Sequence, residues 1–522
     1  MRTLPMQRIG FAEGCRSHAS PIWRVPEDII STIFLINLPD VFEEGEPGMS
    51  SKHSAVAASH VCRDWRRLVL NTPLFWSSLH LRIPGFGEGK SVEDTVKRFG
   101  SELEKCKGVV ATWLLRSGSC PLKLRVDSPY VPQYCIRAHS QLHTVLIDLI
   151  YASAYRWKHI RFNFFLRTAH MLRLLEIAPK DVPLIETIHA ELYPLQGYDT
   201  SAILDKGLFR APSLRVLHLN PWRDILAREL KGLVWTSVTD LHVDTVTKRA
   251  LGPVAFDDSD TPFTSSHQVL ELLRAFPNLV RGSFYLEWED EHTYAKADTP
   301  VVTLRHLKAL TLEGYPPCRG FASRLLLPSL RTLEIRSDLS RELEWPISRM
   351  GSGLVELIEH CGEDLDSLTI WQESLDKDAL GHCLTYLPNL EKLRILETKH
   401  DLVFGFFGSC GFAQTKDIYL LDRLSQRFQS PGSLIDEALY LPKLQVLEIC
   451  LHNCSGDHIE KAFVAFIIAR RKCFDSGMGC IRDVHVTLHR RGNVDIVQEL
   501  QDVDAGANFD NFVLRITAPK GS

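Results

Sequence analysis

The stretch LPNLEKLRI, residues 387–395, decides the fold. Leu390, Leu393 and Ile395 stand in the order L-x-x-L-x-I, and the closing alternation of apolar with charged residues is that of a strand with one buried face. Three other stretches repeat it: APSLRVLHL at 211–219, LPSLRTLEI at 327–335 and LPKLQVLEI at 441–449. With Ile or Val allowed for Leu, the pattern begins at Ile185, Leu214, Val238, Leu307, Leu330, Leu365, Leu390, Leu444 and Ile481. A strand this short cannot cover its own apolar face, so neighbouring units must stack to bury a shared core.

The pattern resembles leucine-rich repeats, and the resemblance implies an α/β solenoid. From Leu307 to Leu330 is 23 residues and from Leu365 to Leu390 is 25, both within the span of such repeats. From Leu390 to Leu444 is 54, which leaves room for a missed unit or an inserted loop. The regular repeat carries a turn asparagine eight residues after its first leucine, but those positions hold Trp222, Asp338, Thr398 and His452, so no asparagine ladder is expected. The array is therefore expected to be curved and uneven, with helices such as SHQVLELLRAF and GLVELIEHCG behind the strands. In each strand the leucines face the core and the residues between them face out. That makes Asp240, His242, Thr332, Glu334, Arg336, Lys392, Arg394, Val446 and Glu448 candidates for an exposed concave sheet that binds a target. Their mixed charge suits a protein or peptide of complementary pattern better than a polyanion.

Residues 21–80 have a different texture. Val25, Ile29, Ile33 and Phe34 recur at helical spacing, and Pro26 and Glu27 suit a first helical turn. PDVFEEGEPGMSSKHS, residues 39–54, reads as a loop. A second helix is expected to set Ala58, Val61, Cys62, Trp65 and Leu68 on one stripe, until Asn71 and Pro73 break it before Leu74, Phe75 and Trp76.

The ordered strings PIWRVPEDIISTIFL and AASHVCRDWRRLVLNTPLFWSSLHL resemble the F-box, most of all the F-box-like proteins of fungi, over residues 21–81. The resemblance implies that Pro26, Ile29, Ile33, Phe34, Val61, Cys62 and Trp65 dock onto the Skp-type adaptor of a cullin ubiquitin ligase complex, or support that docking. Two features depart from compact F-boxes: the loop from Pro39 to Ser54 is longer, and Val25 stands where leucine is usual. VVATWLLRSGSCPLKLRVD, residues 109–127, reads as a helix end at Trp113–Leu115, a stop at Gly118 and a buried strand at Leu122, Leu124 and Val126. It is similar to the helix-turn-strand unit that follows the F-box in those proteins. The expected domains are a tail at 1–20, the F-box-like helices at 21–81, a connecting segment at 82–108 and the repeat array at 109–522.

Composition limits the partners. Sixty Lys plus Arg against 64 Asp plus Glu give a net charge of −4, no excess of positive charge for a nucleic-acid backbone. Residues 1–20 lack a continuous apolar core of the secretory kind, and the apolar run AFVAFIIA at 462–469 is too short to span a bilayer. No membrane or nucleic-acid partner is expected, and the expected location is cytoplasmic or nuclear. Thirteen cysteines, an odd number without regular spacing, read as buried thiols.

Cys450, His452, Cys454 and His458 form the one cluster with metal-ligand chemistry. Cys450 and His452 continue the strand LQVLEI, so their side chains are expected to be offset along it rather than to converge, and the spacing matches no usual zinc arrangement. No metal or cofactor is expected. GFFGSCGF at 405–412 lacks the order of a nucleophile elbow, and no phosphate-binding glycine loop occurs. The F-box and leucine-rich resemblances imply a non-catalytic, substrate-recognition adaptor of an SCF-type ubiquitin ligase. A leucine-rich scaffold without ligase docking is the alternative, and an enzyme with an unrecognised site comes third.

Overall fold

The computed structural model describes residues 25–38, 40–42, 48–85, 92–128, 136–165, 169–193, 207–220, 234–244, 265–286, 300–337, 352–371, 377–396, 409–425, 427–429, 437–451, 457–472, 481–488, 495–503 and 512–517. They form a mixed α/β protein with a large parallel sheet and twelve α-helices among the described residues. The chain falls into two compact units, Met1–Tyr198 with Lys206–Ser213, and Asp199–Asp205 with Leu214–Ser522.

The first unit opens with α1, Glu27–Ile36, which Pro26 precedes with φ −55° and ψ 147°. Glu27 and Asp28 in its first turn complement the helix dipole. The single second helix expected from the sequence is two: α2, Ser54–Ser59, and α3, Arg63–Asn71. The reason is Cys62, which is extended at φ −155° and ψ 172° and caps α3 by accepting a hydrogen bond on Sγ from the Trp65 amide at 3.4 Å. After α3 a 3₁₀ turn, Pro73–Trp76, buries Phe75 and Trp76, and the Trp76 indole donates to the Val69 carbonyl at 2.9 Å.

Strand β1, Ser78–Arg82, starts inside the segment expected to be helical. The expected boundary at 108/109 falls inside one helix, α4, Val92–Arg116. Phe99, Leu103, Val110 and Trp113 are buried along α4 at helical spacing, so one apolar stripe runs through that boundary. The helix stops where Gly118 takes φ +55°. Buried Arg156 closes the turn, donating to the Leu114 and Cys120 carbonyls at 3.4 and 3.0 Å. β2 (Leu122–Asp127), α5 (Ile136–Ala152), β3 (Trp157–Phe165), α6 (Ala169–Leu175) and β4 (Thr187–Tyr193) follow. Strands β1 to β4 pair in parallel and in chain order. Leu81, Val126, Phe162 and Ala190 lie side by side in register and are buried.

The second unit holds ten further parallel strands among the described residues. In the sheet order they are β5 (Val216–Asn220), β6 (Asp240–Val243), β7 (Arg281–Leu286), β9 (Ala309–Gly314), β11 (Thr332–Ser337), β12 (Ser367–Trp371), β13 (Lys392–Leu396), β16 (Val446–Leu451), β17 (Asp483–Leu488) and β18 (Val513–Thr517). Two short pairs complete the strands: β8 (Val302–Thr303) with β10 (Leu325–Leu326), and β14 (Arg427–Gln429) with β15 (Glu437–Leu439). SHQVLELLRAF forms α7, Ser266–Ala275, started by a capping box between Ser265 and Gln268. GLVELIEHCG forms most of α8, Ser352–Cys361. The remaining helices are α9 (Lys377–Cys383), α10 (Ser409–Ser425), α11 (His458–Lys472) and α12 (Ile496–Val503).

All nine residues that begin the sequence pattern are buried, and each precedes its strand by two residues. Leu279 holds the same place before β7, and the motif misses it because Gly282 stands where the second leucine would be. That glycine is sterically set: a Cβ there would lie 2.8 Å from the Phe284 ring and 3.2 Å from Leu279. The 54-residue gap between Leu390 and Leu444 is an insertion rather than a lost strand, since β13 pairs directly with β16 and the gap holds α10 and the β14–β15 hairpin. No helix among the described residues is long and apolar enough to cross a membrane.

Candidate functional site

Two surfaces combine functional chemistry with access. In the first unit, α1 carries apolar residues on two faces. Ile30 is buried, and Phe34 packs edge-on to the Trp65 ring at 4.6 Å and lies 6.3 Å from Phe75. Ile29, Ile33 and Ile36, at spacings of four and three, share the other face and are 47%, 48% and 77% exposed. Val61 is 61% exposed where α2 gives way to α3, and Leu74 is 48% exposed in the 3₁₀ turn. Glu27 and Arg67 join α1 to α3 by an exposed ion pair at 2.9 Å. Of the residues implicated by sequence, Ile29, Ile33 and Val61 thus face water, whereas Phe34, Trp65 and the cap Cys62 are partly buried supports and Pro26 starts the helix. Ile36 and Leu74 extend the open apolar set beyond those residues; the spacing from Ile33 to Ile36 could have found the first.

In the second unit, the residues between the leucines form rows across the strands. One row reads Thr311, Glu334, Thr369, Arg394, Glu448 and His485 from β9 to β17. Its charges are paired within and across strands. Arg394 donates to Glu448 at 2.5 Å, and His485 lies 3.8 Å from the other oxygen of that carboxylate. The Arg394 hydrogen bond holds the Glu448 carboxyl below its ordinary range. Arg336 on β11 donates to Glu334 at 2.9 Å and to Glu313 on β9 at 2.7 Å. Burial pushes the Glu313 carboxyl up, with Asp244 and Glu334 adding to the rise and Arg336 opposing it. Toward β5 the rings of His218 and His242 stack at 4.1 Å, and burial holds the His242 imidazole down.

Eight of the nine expected outward residues lie at least partly open to solvent, and Lys392 is exposed. Asp240 departs from the expectation. It is buried, because it pairs with Arg281 on the next strand and accepts a hydrogen bond from Thr239 at 2.7 Å. Glu313, His218 and His485 belong to the same face and were not singled out by sequence; each lies at an outward position of a recognised unit, so parity alone could have found them.

Cys450 is buried in β16 and His458 opens α11, whereas His452 and Cys454 lie outside the described residues, as do Trp222, Asp338 and Thr398. Among the described residues no group of three His, Cys, Asp or Glu side chains is placed to hold a metal ion.

The outer face of the first unit is occupied by its own chain. Within the 39–54 loop, Asp40, Val41 and Phe42 form a turn in which the Asp40 carboxylate accepts from the Phe42 amide at 3.1 Å. Lys123 on β2 reaches the Asp40 carboxylate at 3.3 Å and lies 5.6 Å from the Phe42 ring centre. Arg125 donates to the Val41 carbonyl at 3.5 Å and Arg161 on β3 to the Phe42 carbonyl at 2.6 Å. Beside them, buried His80 meets Asp127 at 2.7 Å, and Arg125 meets the same carboxylate at 3.0 Å. Burial opposes ionisation of Asp127, but the hydrogen bonds from His80 and Arg125 outweigh it and hold the carboxyl below its ordinary range.

No family model matches the chain, and no curated protein is significantly similar to it.

Proposed function

We propose that this protein is a substrate-recognition adaptor of an SCF-type ubiquitin ligase. The N-terminal helices are read as an F-box that docks onto a Skp-type adaptor, and the strand units as an irregular leucine-rich array whose outer face captures a target protein. The observation that carries the reading is the second apolar face of α1. Ile29, Ile33 and Ile36 stand in water while Ile30 and Phe34 already satisfy the packing of the helix. A surface helix needs only one apolar stripe to fold, so a second open stripe is a place for a partner.

The ladder of lateral ion pairs in the second unit supports the other half of the reading. It presents both signs of charge on a regular lattice and suits a protein surface of complementary pattern. Affinity purification of the full chain under proteasome inhibition tests both halves. Wild type is expected to bring down a Skp-type adaptor together with a target, Ile33→Asp the target without the adaptor, and Lys392→Glu the adaptor with less target. Recovery of no Skp-type adaptor with the folded wild-type chain overturns the ligase reading.

A further inference from the structure

We propose that the outer face of β2 to β4 is a receptor site for an acidic–apolar–aromatic turn, which the chain's own Asp40–Phe42 occupies in cis. This goes beyond the adaptor reading and does not depend on it.

The contacts are those of recognition rather than of simple cover. Three successive residues are read in three ways: Asp40 by the charge of Lys123, the carbonyls of Val41 and Phe42 by Arg125 and Arg161, and the Phe42 ring by Lys123 and by His189, whose ring centre is 5.1 Å away. Val41 is buried. Main-chain hydrogen bonds joined to side-chain pockets are the ordinary way a protein surface holds a peptide. The Asx turn fixes the segment in its bound form, which lowers the ordering cost of binding.

The receptor side has its own reason to want such a ligand. Arg125 and Arg161 stand opposite one another in register on adjacent strands, with His189 next in the row. Like charges directly across a strand pair repel. Asp127 and Glu191 offset part of this from the neighbouring row, pairing with Arg125 and Arg161. The turn adds two carbonyl oxygens, which accept from Arg125 and Arg161. The partner that fits in trans is therefore a protein segment with an Asp-apolar-Phe turn, and it has to compete with a tethered copy whose effective concentration is of millimolar order.

The test uses the full chain and a fluorescent peptide, NLPDVFEEG, copied from residues 37–45. A D40A/F42A variant of the chain is expected to bind the peptide saturably and about tenfold or more tighter than wild type, because the cis competitor is gone. The same peptide carrying both alanines is expected to lose binding, and R161Q added to the variant chain to weaken it. Absence of saturable binding to the folded D40A/F42A chain overturns the proposal, as does equal binding by wild type and variant. Should the double variant not fold, Phe42→Leu keeps the loop apolar and is expected to give a smaller gain of the same sign; no gain there overturns the proposal equally.

Discussion

In the first unit, Lys123, Arg125 and Arg161 direct hydrogen bonds or charge at a turn from a distant part of the chain, whereas in the second Arg336 and Arg394 direct theirs at Glu313, Glu334 and Glu448 on their own and neighbouring strands. The strand alternation behind both faces is the same: Leu79, Leu81, Leu124 and Val126 are buried in one, Leu333, Ile335, Leu393 and Ile395 in the other. What differs is the company the outward residues keep. Lateral pairs at a half-open surface contribute little to folding and can be re-partnered at small cost, so the second face stays available. The first face already holds a turn of its own chain, beside a buried cluster in which His80 and Arg125 surround Asp127.

The largest effects should come from the interior of each unit, where the two ought to behave alike. Trp76→Ala removes an indole packed 4.8 Å from the Trp113 ring and bonded to Val69, and should lower stability by about 3 to 5 kcal/mol. Leu393→Ala in the second unit, at a fully buried position, should lower it by about 2 to 5 kcal/mol. Denaturant unfolding monitored by circular dichroism measures both. A loss under about 1 kcal/mol at either position would separate the units in kind, since buried large-to-small changes rarely fall so low.

An intermediate effect should distinguish the outer faces. Asp127→Asn leaves buried His80 and Arg125 without their carboxylate and should cost about 1 to 3 kcal/mol. The pH dependence has a fixed sign. The Asp127 carboxyl is held low in the folded chain, so its contribution is present above the ordinary carboxylate value near 4 and is lost as pH falls through the lower folded value. Unfolding curves from about pH 5 down to pH 2 should show the wild type losing more stability than Asp127→Asn; parallel curves for the two would remove Asp127 as a structural pair.

The smallest effect on folding is expected for Lys392→Glu on the open face, within about 0.5 kcal/mol. Target capture should nonetheless fall, and a pull-down compared with the melting curve reads both. Unchanged capture of every target would move the binding surface away from β13.

Much of this frame was legible in the chain. Ile185, Leu214 and the seven residues like them each mark a strand two positions on, because the burial that a parallel strand demands writes apolar residues at fixed parity. The β7 unit was hidden by Gly282, a residue set by the Phe284 ring and invisible to a leucine pattern. The break between α2 and α3 was hidden because cysteine is an uncommon cap and Val61 fits the stripe of a longer helix. Outward parity correctly placed Lys392 and Arg394 but not the burial of Asp240, which depends on Arg281, a partner 41 residues away. The docking of Asp40–Phe42 onto β2 and β3 is longer in range still, Arg161 and Phe42 being 119 positions apart, and no local pattern carries it.

The most direct test of the adaptor account is a titration of a purified Skp-type adaptor into the full chain, by calorimetry, for wild type, Ile33→Asp and Lys392→Glu. Placing aspartate at Ile33 forfeits about 1.5 to 3 kcal/mol of apolar burial and brings a charge to the contact, so binding should weaken by more than about tenfold. Lys392→Glu should bind the adaptor as wild type does. Saturable wild-type binding that Ile33→Asp loses, with circular dichroism of the variant unchanged, is expected; equal affinity for wild type and a folded Ile33→Asp chain would rule out docking through this face of α1.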